Sequence, residues 1–240
     1  MISEGQIFVI GDSHIGLTEG SEAPVLEWLD RFAARRPNAL YLNGDLFHYL
    51  IAHRKFYTPT VEKVFARLRE IRDSGVPIYY VEGNRDFFLE GSFVEDAVTG
   101  VGLEYAVQAG PVRYLIVHGD MINDRDLPYR FWRFVSKNAA SRLSLELIPS
   151  GVARRFVDGV ERRLAKTNFK HKSRLPIDQL KAYSRKRSGE GYDCVVFGHF
   201  HQKTILPSDG ATAVILPPWY ETGEAMVIDP ESGGYSWMTV

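Results

Sequence analysis

Aspartate, histidine and asparagine recur in five short glycine-containing patterns along this 240-residue chain. The patterns are Gly11–Asp12–Ser13–His14, Gly44–Asp45, Gly83–Asn84–Arg85–Asp86, His118–Gly119–Asp120 and Gly198–His199–Phe200–His201. Carboxylate, imidazole and amide donors without thiolate suit Mn²⁺, Fe²⁺ or Zn²⁺. Two such ions about 3.5–4 Å apart can share a carboxylate, activate water and neutralise phosphate charge. The residue types therefore predict a dinuclear metal centre that cleaves a phosphorus–oxygen bond.

Each pattern follows an apolar run that is typical of a strand. These runs are Ile7–Ile10, Ala39–Leu42, Ile78–Val81, Tyr114–Val117 and Cys194–Phe197. Apolar residues at helical spacing separate the first three runs, and the second of these helices begins at Thr58–Pro59, an N-cap followed by proline. This alternation predicts an α/β fold with parallel central strands. Because the carboxyl ends of such strands meet at one crevice, we expect the five patterns to converge.

The middle of the chain has a different composition from its two flanks. Residues 127–190 carry 16 Lys and Arg against 5 Asp and Glu, a local balance of +11, whereas the remainder carries −12. We predict a core of residues 1–126 and 191–240, interrupted by a helical, basic lid of residues 127–190. The charge surplus indicates either a surface that meets an anionic partner or a set of solvated helix faces. Further strands are predicted at Thr212–Leu216, Ala225–Ile228 and Tyr235–Thr239.

Composition excludes several classes of protein. The single cysteine, Cys194, rules out an intrachain disulfide and is typical of a small apolar strand residue. We expect no secretory leader, because no positively charged, apolar, small-residue segment precedes the first strand, and the apolar runs fall well short of the ~18 residues of a spanning helix. We expect one globular domain with an insertion, in a reducing compartment.

The ordered set of patterns, from residue 7 to residue 201, resembles the calcineurin-like metallophosphoesterase superfamily. That resemblance implies an α/β fold, a four-layer αββα metallophosphoesterase sandwich of two sheets flanked by helices. It also implies a ligand set in which Asp45 bridges the two metals. The first metal is assigned Asp12, His14, Asp45 and His201, and the second Asp45, Asn84, His118 and His199. Asp86, Asp120 and His48 are expected to be supporting or turn residues.

Arg85 narrows the expected reaction. Most of the superfamily has histidine here, which can protonate a leaving oxygen, whereas arginine keeps its proton and only neutralises charge. Such a site suits a leaving group that needs little protonation, such as a phosphate released from a pyrophosphate. Asn84 and Arg85 are therefore the expected catalytic residues, acting on the substrate phosphates.

The run Gly83–Phe87 is similar to one branch of the superfamily, the UDP-2,3-diacylglucosamine hydrolases, which are pyrophosphatases of lipid A biosynthesis. Other matches are Asp73–Pro77, Asp126, Tyr129, Trp219 and Gly223. The resemblance implies products of UMP and an acylated sugar 1-phosphate. It also implies substrate contacts by Asn84, Arg85, Asp126, Lys170, Lys172 and His199. Phe169–Arg174 lacks the Ser/Asn-rich run of that branch, and Pro217–Pro218 replaces smaller residues, which leaves acyl and head-group preference open.

Aromatic and basic residues interleave at the start of the predicted lid, around Phe131 and Phe134. A basic helix with such residues can lie on an anionic membrane, so we expect a peripheral protein on the cytoplasmic face of a bacterial inner membrane. Mn²⁺ is the expected metal, with Fe²⁺ and Zn²⁺ as alternatives. Two other functions remain open: hydrolysis of a soluble nucleotide, and a non-catalytic scaffold of the same fold. Nucleic acid is not an expected partner, because the acidic body opposes a long polyanion.

Overall fold

The computed structural model of the chain describes residues 5–123, 127–147, 149, 151–152, 155 and 175–239. Its strands, in chain order, are β1 (Ile7–Ile10), β2 (Ala39–Asn43), β3 (Leu50–Ile51), β4 (Ile78–Val81), β5 (Asp86–Phe87), β6 (Gly100–Gly102), β7 (Glu104–Ala109), β8 (Val112–Val117), β9 (Cys194–Phe197), β10 (Thr204–Leu206), β11 (Thr212–Ile215), β12 (Glu224–Ile228) and β13 (Tyr235–Thr239). The helices are α1 (Glu22–Ala34), α2 (Pro59–Asp73), α3 (Leu127–Ser136), α4 (Ala139–Leu147), α5 (Ile177–Ser188) and α6 (Trp219–Thr222), with a 3₁₀ turn at Arg54–Phe56.

Two sheets contain eleven of these strands. The first has the order β13-β12-β1-β2-β4-β6, and the second has the order β10-β11-β9-β8-β7. The centres of both sheets are parallel: β1, β2, β4 and β6 run together, as do β8, β9 and β11. Antiparallel strands occupy the remaining edges. The predicted parallel centre is confirmed, in both sheets.

Alternation of side chains along the central strands builds the layers. In β1, Phe8 and Ile10 pack in a core with helices α1 and α2, whereas Ile7 and Val9 pack in a second core against the other sheet. A third core lies on the far face of the second sheet, where Leu180 of α5 joins residues of β8, β9 and β11. Because successive strand residues point to opposite faces, every central strand serves two cores. The resulting order of helix, sheet, sheet and helix confirms the αββα sandwich.

Helix α2 shows how local sequence sets an element. Thr58 is its N-cap, and its hydroxyl accepts a hydrogen bond of 3.2 Å from the backbone N–H of Val61. Pro59 opens the helix, where its missing N–H costs nothing. The helix ends at Asp73, just before Gly75, whose φ of +100° suits a residue without a side chain. The start at Thr58–Pro59 is the one that the sequence predicts.

Helix α5 lies inside the stretch predicted as the lid, residues 127–190, but packs on the core. Leu180 is fully buried and Tyr183 packs beside it against the second sheet. This helix is therefore the outer layer on that side of the sandwich. Helices α3 and α4 occupy the first part of the predicted lid. In the part of the chain that the structure describes, no helix has both the length and the apolar character needed to cross a membrane.

A cluster of large rings ties α1 to α6, the short helix beside the carboxyl end of β1. The Trp28 ring stacks on Phe32 at 5.2 Å between centroids and meets Trp219 edge-on at 6.2 Å. The backbone N–H of Trp219 donates to the carbonyl of Gly11, at 3.1 Å. The core on this side is thus continuous with the segment that follows β1.

We predict that Trp28→Ala lowers the free energy of unfolding by about 3–5 kcal/mol, because the cavity left by a buried ring collapses only in part. Urea denaturation of metal-free protein measures this change. Glu27→Ala, on the exposed side of the same helix turn, is the matched control and should change stability by no more than about 0.5 kcal/mol. Equal effects of the two substitutions would contradict the packing described here.

Candidate metal centre

The five chemical patterns converge, as predicted, on one edge of the sandwich. Each lies directly after the carboxyl end of a parallel strand: β1, β2 and β4 in the first sheet, and β8 and β9 in the second. The site therefore lies where the ends of the two sheets meet. The two sheets contribute opposite walls, so neither sheet alone could form it.

One group of side chains surrounds the end of β1. The Nε2 atom of His201 lies 3.0 Å from Oδ1 of Asp12 and 3.2 Å from Nε2 of His14. His14 Nε2 lies 3.7 Å from the same carboxylate oxygen. Two imidazole nitrogens and one carboxylate oxygen thus point into a common small volume.

A second group lies between β4, β8 and β9. The amide oxygen of Asn84 is 2.8 Å from Nδ1 of His199 and 3.2 Å from Nε2 of His118. Asp45 approaches from β2, with its Oδ1 atom 3.7 Å from the same His118 nitrogen. This group again combines imidazole, amide and carboxylate donors around one point.

The carboxylates of Asp12 and Asp45 connect the two groups. Candidate ligand atoms of Asp12, His14 and His201 all lie within 4.8 Å of one another, and so do those of Asp12, Asp45 and His118. Burial raises the pKa of Asp45, and the charge of Asp12 raises it further. Burial acts in the same direction on Asp12, but the imidazoles of His201, His118 and His14 together outweigh it and hold the pKa of Asp12 below its ordinary value. Cations between the carboxylates would relieve the repulsion that Asp45 experiences.

Backbone strain is concentrated at the same residues. Among the described residues, seven other than glycine have a positive φ, and five of these belong to the two groups: Asp12, His14, Asp45, His199 and His201. Aspartate and histidine adopt this left-handed conformation more readily than branched residues, but still at a cost. Strained backbone of this kind persists where the surroundings demand it, commonly at functional sites.

Neighbouring groups fix the orientation of these side chains. The Nδ1 atom of His118 lies 2.9 Å from the carbonyl oxygen of Asn43 and donates to it, which leaves Nε2 facing the second group. Asp86 accepts hydrogen bonds from the backbone N–H groups of Asp45 and Gly83. Burial, together with the charge of Asp45, raises the pKa of Asp86 to about 7. Asp86 therefore supports the Asp45 loop, in the role predicted for it.

Arg85 lies at the mouth of the second group. Its Nη1 atom donates to the backbone carbonyl of His48 at 3.0 Å and lies 3.4 Å from the His48 ring. Its Nε atom is 3.7 Å from the Asp45 carboxylate. The guanidinium is thus held beside the site with its charge partly directed at Asp45. An open groove of about 500 Å³ begins at His48 and runs between residues 15–20 and the start of α2.

Sequence reasoning missed Tyr220. Its ring packs against His14 and His201, with centroid distances of 5.3 and 5.8 Å, and its backbone N–H donates to the carbonyl of Asp12. The short helix α6 carries this ring. A helix of four residues is too short to show a periodic hydrophobic pattern in the sequence. Of the residues predicted to bind substrate, Asp126, Lys170 and Lys172 lie outside the described residues.

The donor set fits divalent cations. Each group offers imidazole nitrogen with carboxylate or amide oxygen, and the one cysteine, Cys194, is buried in β9. Hard and borderline ions such as Mn²⁺, Fe²⁺ and Zn²⁺ accept this combination. The arrangement can therefore hold two cations side by side.

Comparison with known proteins identifies the class that this fold and site define. Residues 5–203 match the calcineurin-like phosphoesterase family. The chain belongs to that family and is a metal-dependent phosphoesterase. A dimetal phosphatase from Danio rerio has the same fold, with a TM-score of 0.51 at 15% identity over 99% of each chain.

Several proteins whose sequences are more similar to this chain than that of the Danio rerio phosphatase share one name. The UDP-2,3-diacylglucosamine hydrolase of Ectopseudomonas mendocina is 30% identical over 205 residues, which cover 82% of this chain and 84% of that protein. The protein of that name from Neisseria meningitidis serogroup B is 27% identical over 89% of both chains. The one from Yersinia pestis is 27% identical over 93% of this chain and 95% of its own. The resemblance to this branch is thus confirmed.

We predict that Gly44→Ala weakens Mn²⁺ binding at least about 10-fold, as measured by isothermal titration calorimetry. A Cβ atom at Gly44 would lie 2.3 Å from Nδ1 of His118, so the imidazole must move. Gly75→Ala is the matched control, because Gly75 also has a positive φ but nothing within 4 Å of an added Cβ. In both variants, backbone strain should lower the free energy of unfolding by about 1–2 kcal/mol. Wild-type Mn²⁺ affinity in Gly44→Ala would contradict a role for His118 in the site.

Proposed function

We propose that the protein hydrolyses the pyrophosphate bond of UDP-2,3-diacylglucosamine or a closely related lipid-linked nucleotide sugar. The products are UMP and an acylated sugar 1-phosphate. Relatives named for this substrate match more than four-fifths of the chain at 27–30% identity. The features of the site and of the lid region supply the physical support for the proposal.

The two groups of side chains are assigned as ligands of two divalent cations, with Mn²⁺ the first candidate. Asp12, His14 and His201 hold one cation, Asn84, His118 and His199 hold the other, and Asp45 bridges them. When bound, the cations supply a water nucleophile at neutral pH and neutralise charge on the phosphates. Repulsion between the two buried carboxylates supports this assignment, since the charge of Asp12 adds to burial in raising the pKa of Asp45.

Arg85 supports cleavage of an anhydride. Contacts with His48 hold its guanidinium at the mouth of the site, where it neutralises the charge that develops on a departing phosphate. A guanidinium does not release its proton at working pH, so it does not protonate an alkoxide. A phosphate leaving group needs no such proton. The amide nitrogen of Asn84 remains available to donate to a phosphate oxygen while its oxygen faces the cation.

The observation that carries the lipid part of the proposal is the orientation of helix α3. Arg133 of this helix and Lys137, just beyond its end, face the core, with side chains 11% and 9% exposed, whereas Arg130 is exposed. Phe131 and Phe134 face outward and are 70% and 72% exposed. Large apolar residues this exposed are typical of surfaces that bind an apolar partner. Leu143 and Leu147 of α4 are also exposed.

An apolar outer face next to a site for phosphates suits a lipid-linked substrate. Acyl chains lie against the apolar side chains while the head group reaches the cations. The surplus of basic residues between 127 and 190 favours an anionic membrane surface as the place where the substrate is met. We therefore place the protein at the cytoplasmic face of a bacterial inner membrane.

The direct test is a product assay by mass spectrometry, with protein, Mn²⁺ and UDP-2,3-diacylglucosamine. We expect UMP and the acylated sugar 1-phosphate from the wild-type protein and a loss of at least about 100-fold in Asn84→Ala, which removes a ligand and a phosphate contact. An intact lipid, in a preparation that cleaves bis(p-nitrophenyl) phosphate, would reject this substrate and favour a soluble nucleotide. Inactivity on both, with Mn²⁺ bound, would favour a non-catalytic scaffold.

A second variant tests lipid contact by the lid region separately from the metal centre. In the same assay, the double substitution Phe131→Ser and Phe134→Ser should raise KM for the lipid substrate by about 10-fold or more, because apolar contact area is lost. Its activity on bis(p-nitrophenyl) phosphate should remain at the wild-type level. Ile205→Ser, which alters an exposed apolar residue of β10, is the control. Wild-type KM in the lid variant would contradict lipid contact at this face.

A further inference from the structure

The inner face of α3 carries three polar side chains at a spacing of four residues. Tyr129, Arg133 and Lys137 follow one another along the same side of the helix, the last just beyond its end. All three turn toward the loops that follow β4 and β8. A surface helix normally turns such residues to solvent and its apolar side to the core. Helix α3 instead turns Arg133 inward and leaves Phe131 and Phe134 exposed, so these contacts must hold it in place.

The contacts form one connected network. Arg133 donates from Nη1 to Oδ2 of Asp120 at 2.7 Å and from Nη2 to Oε1 of Glu82 at 2.9 Å. Lys137 donates to the same Glu82 oxygen at 2.8 Å and to the backbone carbonyl of Gly83 at 2.7 Å. The hydroxyl of Tyr129 donates to Asp120. Each acidic residue thus has two side-chain donors from the α3 segment.

The network is buried and balanced in charge. Glu82 and Asp120 are 17% and 5% exposed, and two cations face these two anions. Burial lowers the pKa of the Lys137 ammonium, with Arg133 adding to the effect. Removing one member leaves an uncompensated buried charge, which disrupts such a cluster more than removing a pair.

The points of attachment are next to the candidate ligands. Glu82 and Gly83 directly precede Asn84, and Asp120 lies two residues after His118. Glu82 follows a strand of the first sheet and Asp120 a strand of the second, so the network joins the two sheets at the edge where the cations bind. Asn84 and His118 make contact across the same gap, at 3.2 Å. A shift of either loop changes that contact.

We propose that Arg133 and Lys137 are positioning residues of the metal centre, which hold the Glu82–Gly83 and Asp120 loops so that Asn84 and His118 meet around one cation. Nothing in this role requires either residue to touch the substrate. The proposal rests on the assignment of ligands in the proposed function. It makes α3 a support of the second cation site as well as a surface for lipid.

The test uses Mn²⁺ and a water-soluble diester, without lipid. Arg133→Met and Lys137→Met keep the length of the side chain and remove its charge. Calorimetric titration should show Mn²⁺ binding weakened by about 10–100-fold at one of two sites, the range that supporting residues of metal ligands typically give. Arg130→Met, an exposed change on the same helix, should bind as the wild type does. Turnover of bis(p-nitrophenyl) phosphate should recover as Mn²⁺ is raised.

Rescue separates positioning from general destabilisation. Arg133→Lys keeps the charge and should recover most of the Mn²⁺ affinity that Arg133→Met loses. Adding Glu82→Gln to Lys137→Met removes both members of a pair and should restore affinity in part. Melting temperatures without metal show whether each variant is folded. If Arg133→Met and Lys137→Met unfold, the Mn²⁺ affinities of Arg133→Lys and of the Lys137→Met/Glu82→Gln double variant decide the question.

One outcome would overturn the inference, and a different one would overturn the ligand assignment on which it rests. Folded Arg133→Met and Lys137→Met proteins with Mn²⁺ affinity within about 2-fold of the wild type would reject positioning by α3, since supporting residues have larger effects. Unchanged Mn²⁺ binding in Asp45→Asn would instead reject the ligand assignment. Neither outcome depends on whether the lipid substrate is hydrolysed.

Discussion

Two buried carboxylates that face the same small volume are the constraint on which the structure depends. Asp12 and Asp45 are at most 1% exposed, and the charge of Asp12 raises the pKa of Asp45. Hydrogen bonds from backbone N–H groups ease this cost: His199 donates to Asp12, and Arg85 donates to Asp45. Imidazole and amide donors surround the carboxylates on the remaining sides. Divalent cations are the partners that satisfy such a set of groups.

The architecture of the sandwich brings these groups together. Parallel strands bring five loops to one edge, and the two sheets supply opposite walls of the site. The loops must come very close together, which is why glycine is needed at Gly83, where a Cβ would lie 2.3 Å from the Asp45 carboxylate. Left-handed backbone at five candidate ligands is the cost of aiming their side chains inward. The α3 network then ties the loops after β4 and β8 together from outside.

Much of this could be predicted from the sequence, for physical reasons. Short apolar runs followed by glycine next to aspartate, asparagine or histidine mark buried strands that end in a site, and all five runs are strands here. Strands β6 and β7 were not predictable from the sequence. Gly100–Gly102 has only one side chain, and β7 lies at a sheet edge where many of its side chains are exposed. The burial of Arg133 and Lys137 was also hidden, since a helix of mixed residues does not reveal which face turns inward. Their partners Glu82 and Asp120 are distant in sequence, and only the fold brings them together.

Anomalous diffraction from crystals soaked in Mn²⁺ can show whether Asp45 lies between two cations. We expect two anomalous peaks about 3.5–4 Å apart at the carboxyl ends of β1, β2, β4, β8 and β9. One peak should lie among Asp12, His14 and His201, the other among Asn84, His118 and His199, with Asp45 in contact with both. A single peak, or two peaks that do not share Asp45, would rule out a dinuclear centre bridged by Asp45.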